Sequence, residues 1–535
     1  MRGEMQVEEF DYVIVGGGSA GCAVASRLSE DSKTTVCLLE AGGAGNNWVV
    51  KAPMGIAIMV PSKTNNWAFE TVPQPGLNGR KGYQPRGKAL GGSSAINAMV
   101  YIRGHRSDYD GWAALGNIGW SYSDVLPYFK KSENNEVVQD AFHGTGGPLN
   151  VAGSRTSNPF QEHFLEAGRQ LQLPLTSDFN GAEQMGLGVY QLTQKNGERW
   201  SAARAYIEPN LSRPNLKIVT GAQARKILFD GKRAIGVEFG RDGKPESVRA
   251  RREIILSGGA FQSPQLLMLS GIGNAPDLKS VGIEIVHHAP GVGQNLQDHI
   301  DFALTYRSKT PDNFGISLAG FRRLWREIGR YRRDGIGMIT SNVAECGGFL
   351  KTDPGLKVPD IQLHFSMATA DNHGRTRHLG HGFGCHVCLL RPKSRGTVTL
   401  NSTDPAAPPR IDPKFYDHPD DLEVMVKAFK ITRRIMDAAP LAKWRTAEMY
   451  SEAVQSDDEI RNILRNRSDT VYHPVGTARM GTDAMAVVDS QLKVAGVERL
   501  RVVDASIMPT LIGGNTNAPS IMIGEKAADM IRSAR

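Results

Sequence analysis

No run in this 535-residue chain reaches the ~18 uncharged apolar residues that a membrane-crossing helix requires. The most apolar candidate, residues 49–60, is broken by Lys51 and Pro53. Residues 1–10 are acidic and polar with no apolar segment, and a strand-like run follows at once, so no secretory leader is expected. Cysteine is scarce. The five present, Cys22, Cys37, Cys346, Cys385 and Cys388, are an odd number in a long chain and predict reduced thiols in a cytoplasmic setting. Cys385 and Cys388 have CxxC spacing, but no second pair completes a structural zinc site, so no metal is expected. They sit in an alternating apolar run, 385–390, that reads as a strand with the two thiols as small buried side chains. Short-period repeats and low-complexity tracts are absent.

Acidic excess is lacking too: the formal net charge is +8. No zinc-finger, helix-turn-helix or aromatic-plus-basic RNA pattern accompanies it, so no nucleic-acid partner is expected. Basic charge gathers in residues 321–333. There Phe321, Leu324, Trp325, Ile328 and Tyr331 fall on one helical face, with six arginines elsewhere. Two readings fit this pattern: a helix lying on a membrane surface, or a core-packed helix with a solvated basic face.

The most informative segment that is present runs from Asp11 to Gly21. A β-branched run from Tyr12 to Val15 reads as a buried strand, and Gly16 opens the turn after it. Gly18 lets the backbone approach a pyrophosphate, Gly21 lets a helix pack on the strand, and a helix over 19–28 presents its free N–H groups to the phosphates. A second strand, 35–39, delivers Glu40 about twenty residues past the glycines, where a carboxylate binds a ribose hydroxyl. A glycine-rich region follows at 87–104, and a helix is expected over 159–171. A hairpin is expected at 224–239, and a strand at 253–256 ends in a glycine turn that opens a helix over 264–269. Residues 306–470 change to short alternating runs and long helices, as a separate substrate-covering part does. A strand at 500–503 and a helix over 517–531 close the chain. Nucleotide-binding parts therefore lie at both ends and in the middle, which predicts an α/β protein.

Five separated motifs in order carry a resemblance over nearly the whole length. They are Gly16 to Gly21; the segment from Gly87 through Gly91, Gly92, Ser93 and Ser94 to Asn97; the segment from Gly259 to Gly273; Val471-Tyr472-His473-Pro474-Val475-Gly476; and Asn515-Thr516-Asn517-Ala518-Pro519. Together they resemble the glucose–methanol–choline (GMC) family of FAD-dependent oxidoreductases. Within it the chain is similar to bacterial membrane-associated alcohol, polyethylene-glycol and choline dehydrogenases. The resemblance implies a Rossmann-like FAD-binding domain (1–155, 205–305 and 468–535) interleaved with a substrate-binding domain (156–204 and 306–467) built on an antiparallel sheet flanked by helices. It also implies that Gly16, Gly18, Ser19, Ala20 and Gly21 hold the FAD pyrophosphate, and Glu40 with Ala41 the adenosine ribose. Gly87, Gly91, Gly92, Ser93, Asn97, Ala98, Met99 and Val100 would line the isoalloxazine and ribityl chain. Ala224 would meet the adenine, and Asp504, Ala505 and Asn517-Ala518-Pro519 would close the site. Members with covalent flavin carry a histidine where this chain has Ile96, so FAD is expected to be non-covalent.

Alcohol oxidation needs the hydroxyl proton removed while the α-carbon hydride goes to the flavin. A neutral imidazole suits the first task. Among thirteen histidines, His473 stands where the family places its active-site histidine, and Asn517 is expected opposite it, orienting the alcohol. Trp67 and Glu345 lie where choline enzymes place an aromatic ring and a carboxylate against the substrate cation. Packing for Trp67 and a buried hydrogen-bonding role for Glu345 stand as equal alternatives. The expected activity is oxidation of a primary alcohol to its aldehyde, with electrons passed to a quinone or other acceptor. Choline dehydrogenase, an oxygen-using oxidase and a non-redox lyase are the competing readings. A cytoplasmic setting is expected; contact with the inner face of the cytoplasmic membrane through 321–333 stays one of the two readings of that segment, and oligomeric state is left open.

Overall fold

The computed structural model describes residues 7–369 and 371–534; residues 1–6 of the acidic N-terminal segment lie outside it. The strand Glu8–Val15 forms the centre of a seven-stranded sheet, because its residues from Asp11 onward are buried and it must be covered on both faces. It pairs in parallel with Val36–Glu40 on one side and with Lys244–Leu256 on the other. Leu216–Thr220 extends the first side, and Leu500–Val502 runs parallel to Lys244–Leu256. The hairpin expected at 224–239 is present as the antiparallel strands Gln223–Asp230 and Arg233–Arg241. The helix Ser19–Leu28 has the expected bounds, and the final helix Asn517–Ser533 packs along it.

A second, antiparallel eight-stranded sheet has the order Arg445–Met449, Ile300–Ser308, Gly380–Leu389, Ile361–Ser366, Cys346–Leu350, Gly186–Val189, with two short strands at its margin. Strand alternation gives it two unlike faces. Phe302, Leu304, Tyr306, Leu363, Phe365, Phe383, Cys385 and Val387 join one apolar core. The helices Pro159–Gln170 and Pro419–Asp437 cover that core, with Phe164 against Phe365 (ring centroids 4.8 Å) and Phe302 against Phe429 (5.4 Å). The alternate residues Asp301, Ala303, Thr305, His364, Ser366 and His386 line a cavity on the other face. Cys385 and Cys388 lie in one strand and in different apolar clusters, as packing side chains do. The strand Ile300–Ser308 belongs wholly to this second sheet, so the domain boundary expected at residue 305 falls inside it.

The first and last helices are locked together by charge. The Arg27 guanidinium grips the Glu525 carboxylate through Nε (2.8 Å) and Nη2 (2.8 Å), and Tyr206 donates to the same carboxylate at 2.7 Å. The Glu525 side chain is fully buried, so removing it leaves the Tyr206 hydroxyl without this acceptor and the Arg27 guanidinium with only its Glu30 contact (2.7 Å) at the helix seam. Glu525→Ala is expected to lower stability by about 2–4 kcal/mol in urea unfolding. Arg27→Ala with Glu525→Ala is expected to cost clearly less than the sum of the single changes.

Candidate active site

The glycine-rich end of the cavity is built by close approach. At Gly21 a Cβ would come within 2.0 Å of the Gly16 carbonyl oxygen, so any side chain would push the first helix off the turn it follows. At Gly92, with φ of +52°, a Cβ would come within 2.7 Å of the Gly18 Cα, so the second signature segment lies directly on the first. Glu40 accepts the N–H groups of Gly17 (2.9 Å) and Gly42 (2.7 Å), and burial pushes its carboxyl up to about 7. Asp504 takes the Gly259 N–H (2.9 Å) and the Ser263 hydroxyl (2.6 Å), which holds the start of the helix Gly259–Leu269 at the same place. The starts of three helices, at Ser19, Gly259 and Asn517, thus border one cavity of about 1150 Å³. Converging N-terminal N–H groups make that wall attractive to anions.

Most residues expected at the cofactor line this cavity: Gly16, Gly18, Ser19, Ala20, Glu40, Ala41, Gly87, Gly92, Ser93, Asn97, Ala98, Met99, Val100, Ala224, Asp504, Ala505 and Asn517. Gly21, Gly91, Ala518 and Pro519 are not in the wall and shape it from behind. Gly91 does so by donating its N–H to the Gly17 carbonyl at 2.7 Å. The residues fit FAD: a glycine cradle at helix starts for a diphosphate, a carboxylate for a ribose, and a cavity long enough to reach His473. Ile96, 3 % exposed, lines it with no nucleophile to bond a flavin.

At the far end His473, 7 % exposed, follows a turn held by Asp298, which accepts the His473 N–H at 2.8 Å. Asp298 also accepts from Thr470 (2.6 Å) and Gln84 (3.0 Å). The pairing of Gln297 with Val475, and of Ile300 with Thr470, runs the two segments antiparallel and sets His299 beside His473. Their Nδ1 atoms are 3.0 Å apart. Burial, then the neighbouring His299, His364 and Arg86, holds the His473 pKa well below the ordinary histidine value. Burial also pushes His299 down to about 3.

The asparagine beside His473 is Asn515, whose Nδ2 lies 3.1 Å from His473 Nε2. This differs from the expected His473–Asn517 pair. Asn517 begins the last helix, and its Oδ1 accepts the Ser19 hydroxyl at 2.7 Å, which ties the last helix to the first at the cofactor end. Only Thr516 separates the asparagines, and the helix start decides which of them faces which end. His299 and Asp298 were not legible as site residues, because the strand pairing that brings them in spans over 170 positions.

Trp67 lines the cavity, stacked on Phe69 at 5.6 Å, and the Lys88 ammonium sits 4.2 Å above its ring. Glu345 does not line the cavity. It is fully buried, taking hydrogen bonds from Thr156 Oγ1 (2.5 Å), Gln161 Nε2 (2.5 Å) and the Ser341 hydroxyl. The buried hydrogen-bonding alternative is the one the structure displays.

The segment 321–333 lies in the helix Leu318–Asp334, capped by Ser317 and ended by Gly335 in the left-handed conformation. Its apolar face is not in the core. Leu318, Phe321, Leu324 and Trp325 are exposed, and the one buried residue is Glu327, which accepts the Met338 N–H at 2.9 Å. Ile316 and Leu379, bridged to each other at the helix start, are exposed as well. No helix among the described residues is long and apolar enough to cross a membrane.

Two family models, both described as GMC oxidoreductase, match residues 10–301 and 392–524. Among curated proteins, an alcohol dehydrogenase [acceptor] of Pseudomonas putida is 47% identical over 98% of this chain and 95% of its own length. The human mitochondrial choline dehydrogenase is 43% identical over 98% of this chain and 90% of its own. Among solved structures, a formate oxidase superposes with a TM-score of 0.92 at 28% identity, covering 99% of both chains. A pyridoxine 4-oxidase from Mesorbium loti gives 0.89 at 30%, covering 98% of this chain and 99% of the other. With both ends of the cavity built as described and two family models spanning most of its length, the chain belongs to the GMC oxidoreductases.

Proposed function

We propose that the protein oxidises an uncharged primary alcohol to its aldehyde with non-covalently held FAD, and passes the electrons to a quinone or other acceptor. The observation that carries this reading is the buried His473 Nε2 beside the Asn515 amide in the cavity wall. An alcohol oxygen that takes the place of this Asn515–His473 contact gives its proton to the freed Nε2 lone pair and accepts the Asn515 N–H, which holds the α-carbon in a fixed orientation. FAD, when bound, supplies the acceptor for the hydride leaving that carbon. Similarity to the P. putida alcohol dehydrogenase supports the substrate class.

Choline is disfavoured by charge. A trimethylammonium group needs an open aromatic face or a free carboxylate. Here Lys88 already covers Trp67, and Glu345 lies outside the cavity. The carboxylates that share the lining near His473 each already face a basic side chain: Asp301 meets His386 through Oδ2 (2.7 Å), with its Oδ1 unpartnered, Asp371 meets Arg467 (2.6 Å) and Asp469 meets His373 (2.8 Å).

The helix Leu318–Asp334 supports a peripheral seat on the cytoplasmic face of a membrane. Its exposed Phe321 and Trp325 would enter the interface, while its arginines meet anionic headgroups. That seat would bring the enzyme to a lipid-soluble acceptor.

Four outcomes are expected. His473→Ala is expected to stay yellow and lose about 10²- to 10⁴-fold in alcohol-dependent dye reduction; full turnover would refute the assignment. Asn515→Ala should slow flavin reduction with FAD content unchanged, whereas Asn517→Ala should lower FAD content, measured by absorbance after gel filtration. Because His473 must be unprotonated to act and its pKa is lowered, kcat/KM should hold from neutral pH down past 6.5 before its acid limb. Phe321→Ser with Trp325→Ser should abolish co-sedimentation with phosphatidylglycerol vesicles while leaving turnover of a soluble short alcohol intact.

A further inference from the structure

We propose that His299 is a positioning residue that fixes His473 as the Nδ1–H tautomer, with its Nε2 lone pair aimed at the alcohol; this rests on the alcohol-oxidising reading above. The inference comes from a continuous hydrogen-bond chain with a backbone carbonyl at each end. A carbonyl only accepts, so the direction of every bond between the two ends follows.

From one end, the Leu390 carbonyl oxygen lies 3.2 Å from His299 Nε2, so that nitrogen carries the proton. His299 Nδ1 in the neutral ring is then an acceptor, and the His473 nitrogen 3.0 Å away, Nδ1, must donate to it. A neutral His473 with its proton on Nδ1 has its lone pair on Nε2. From the other end, the Tyr190 hydroxyl donates to the Leu363 carbonyl at 2.6 Å and so accepts from Gln362 Nε2 at 3.3 Å. The same Gln362 Nε2 donates to Asn515 Oδ1 at 3.0 Å. That fixes the Asn515 amide with Nδ2 toward His473, again demanding a lone pair at Nε2. The two ends reach the same tautomer independently.

The surroundings keep His299 neutral, since it is fully buried and Arg391 adds like charge. It therefore accepts the Nδ1–H of His473 without taking that proton. When the alcohol O–H proton moves to Nε2, both electrons of the old O–H bond remain on oxygen and the positive charge stays on His473. His299 orients the base and does not relay its proton. Without an acceptor there, a buried Nδ1–H is left unpaired. The ring is then better off with its proton on Nε2, where it can turn toward the cavity and cannot act as a base.

The test separates this role from the reaction itself by reading the tautomer directly. In histidine-labelled protein, the ¹⁵N shifts of the His473 ring, assigned by loss in His473→Gln, should show a protonated Nδ1 and a bare Nε2. His299→Leu, which removes the acceptor, should move the proton to Nε2 and slow anaerobic flavin reduction by about 10- to 100-fold with substrate affinity little changed. His299→Asn, whose amide oxygen can stand in for Nδ1, should restore both readouts to near the natural protein. A natural protein with its proton on Nε2 overturns the proposal whatever the activity. So does a His299→Leu variant that keeps the Nδ1–H signature. Equal impairment of the Leu and Asn variants with the signature retained overturns it too. A correct tautomer without any alcohol-dependent reduction would instead sink the alcohol reading and leave this one standing.

Discussion

An imidazole held neutral by its surroundings is the constraint on which the rest of this molecule depends. His473 is buried and faces two further buried imidazoles and the Arg86 guanidinium. Each of these disfavours the protonated ring, so the lone pair is available at neutral pH. The same desolvation makes the ring a weaker base. A weaker base suffices because the hydroxyl proton becomes easier to remove as the α-carbon gives up its hydride. Burial therefore decides both when the base is free and how the reaction must be coupled.

The fold assembles this environment from segments far apart in the chain. The seven-stranded sheet places three helix starts around a diphosphate-binding end, and the antiparallel sheet roofs the opposite end with its polar face. Alternation along Ile300–Ser308 does this economically: Phe302 and Leu304 face the core, while Asp301 and Ala303 face the cavity. The two residues before that strand, Asp298 and His299, hold the backbone and the ring of His473. The last helix spans the two ends. Its start, Asn517, touches Ser19 at the cofactor end, while Asn515 just before it touches His473.

The cofactor end was legible in the sequence because its determinants are local: a glycine turn between a strand and a helix, and a carboxylate at the next strand's end. The helix Ser19–Leu28, the hairpin and the final helix follow from the same short-range patterns. The reaction end was legible only in part. His473 was found through its motif, but the choice between Asn515 and Asn517 turned on where one helix begins, which periodicity does not fix to two residues. His299, Asp298 and Gln362 carry no local signal, because only long-range strand pairing brings them to the site. The two readings of Glu345 stayed equal in the sequence for the same reason: its neighbours Thr156 and Gln161 arrive from another part of the chain. The periodicity of 321–333 showed an apolar face, but not that Phe321 and Trp325 would be left uncovered.

The most direct measurement is anaerobic stopped-flow absorbance of the yellow holoenzyme mixed with a primary alkanol and with the same alkanol deuterated at its first carbon. The account expects the flavin band to bleach in a first-order process that slows severalfold with the deuterated alcohol, because C–H cleavage is the step that His473 and Asn515 position. A flavin band left unchanged by alkanols of any chain length would contradict it.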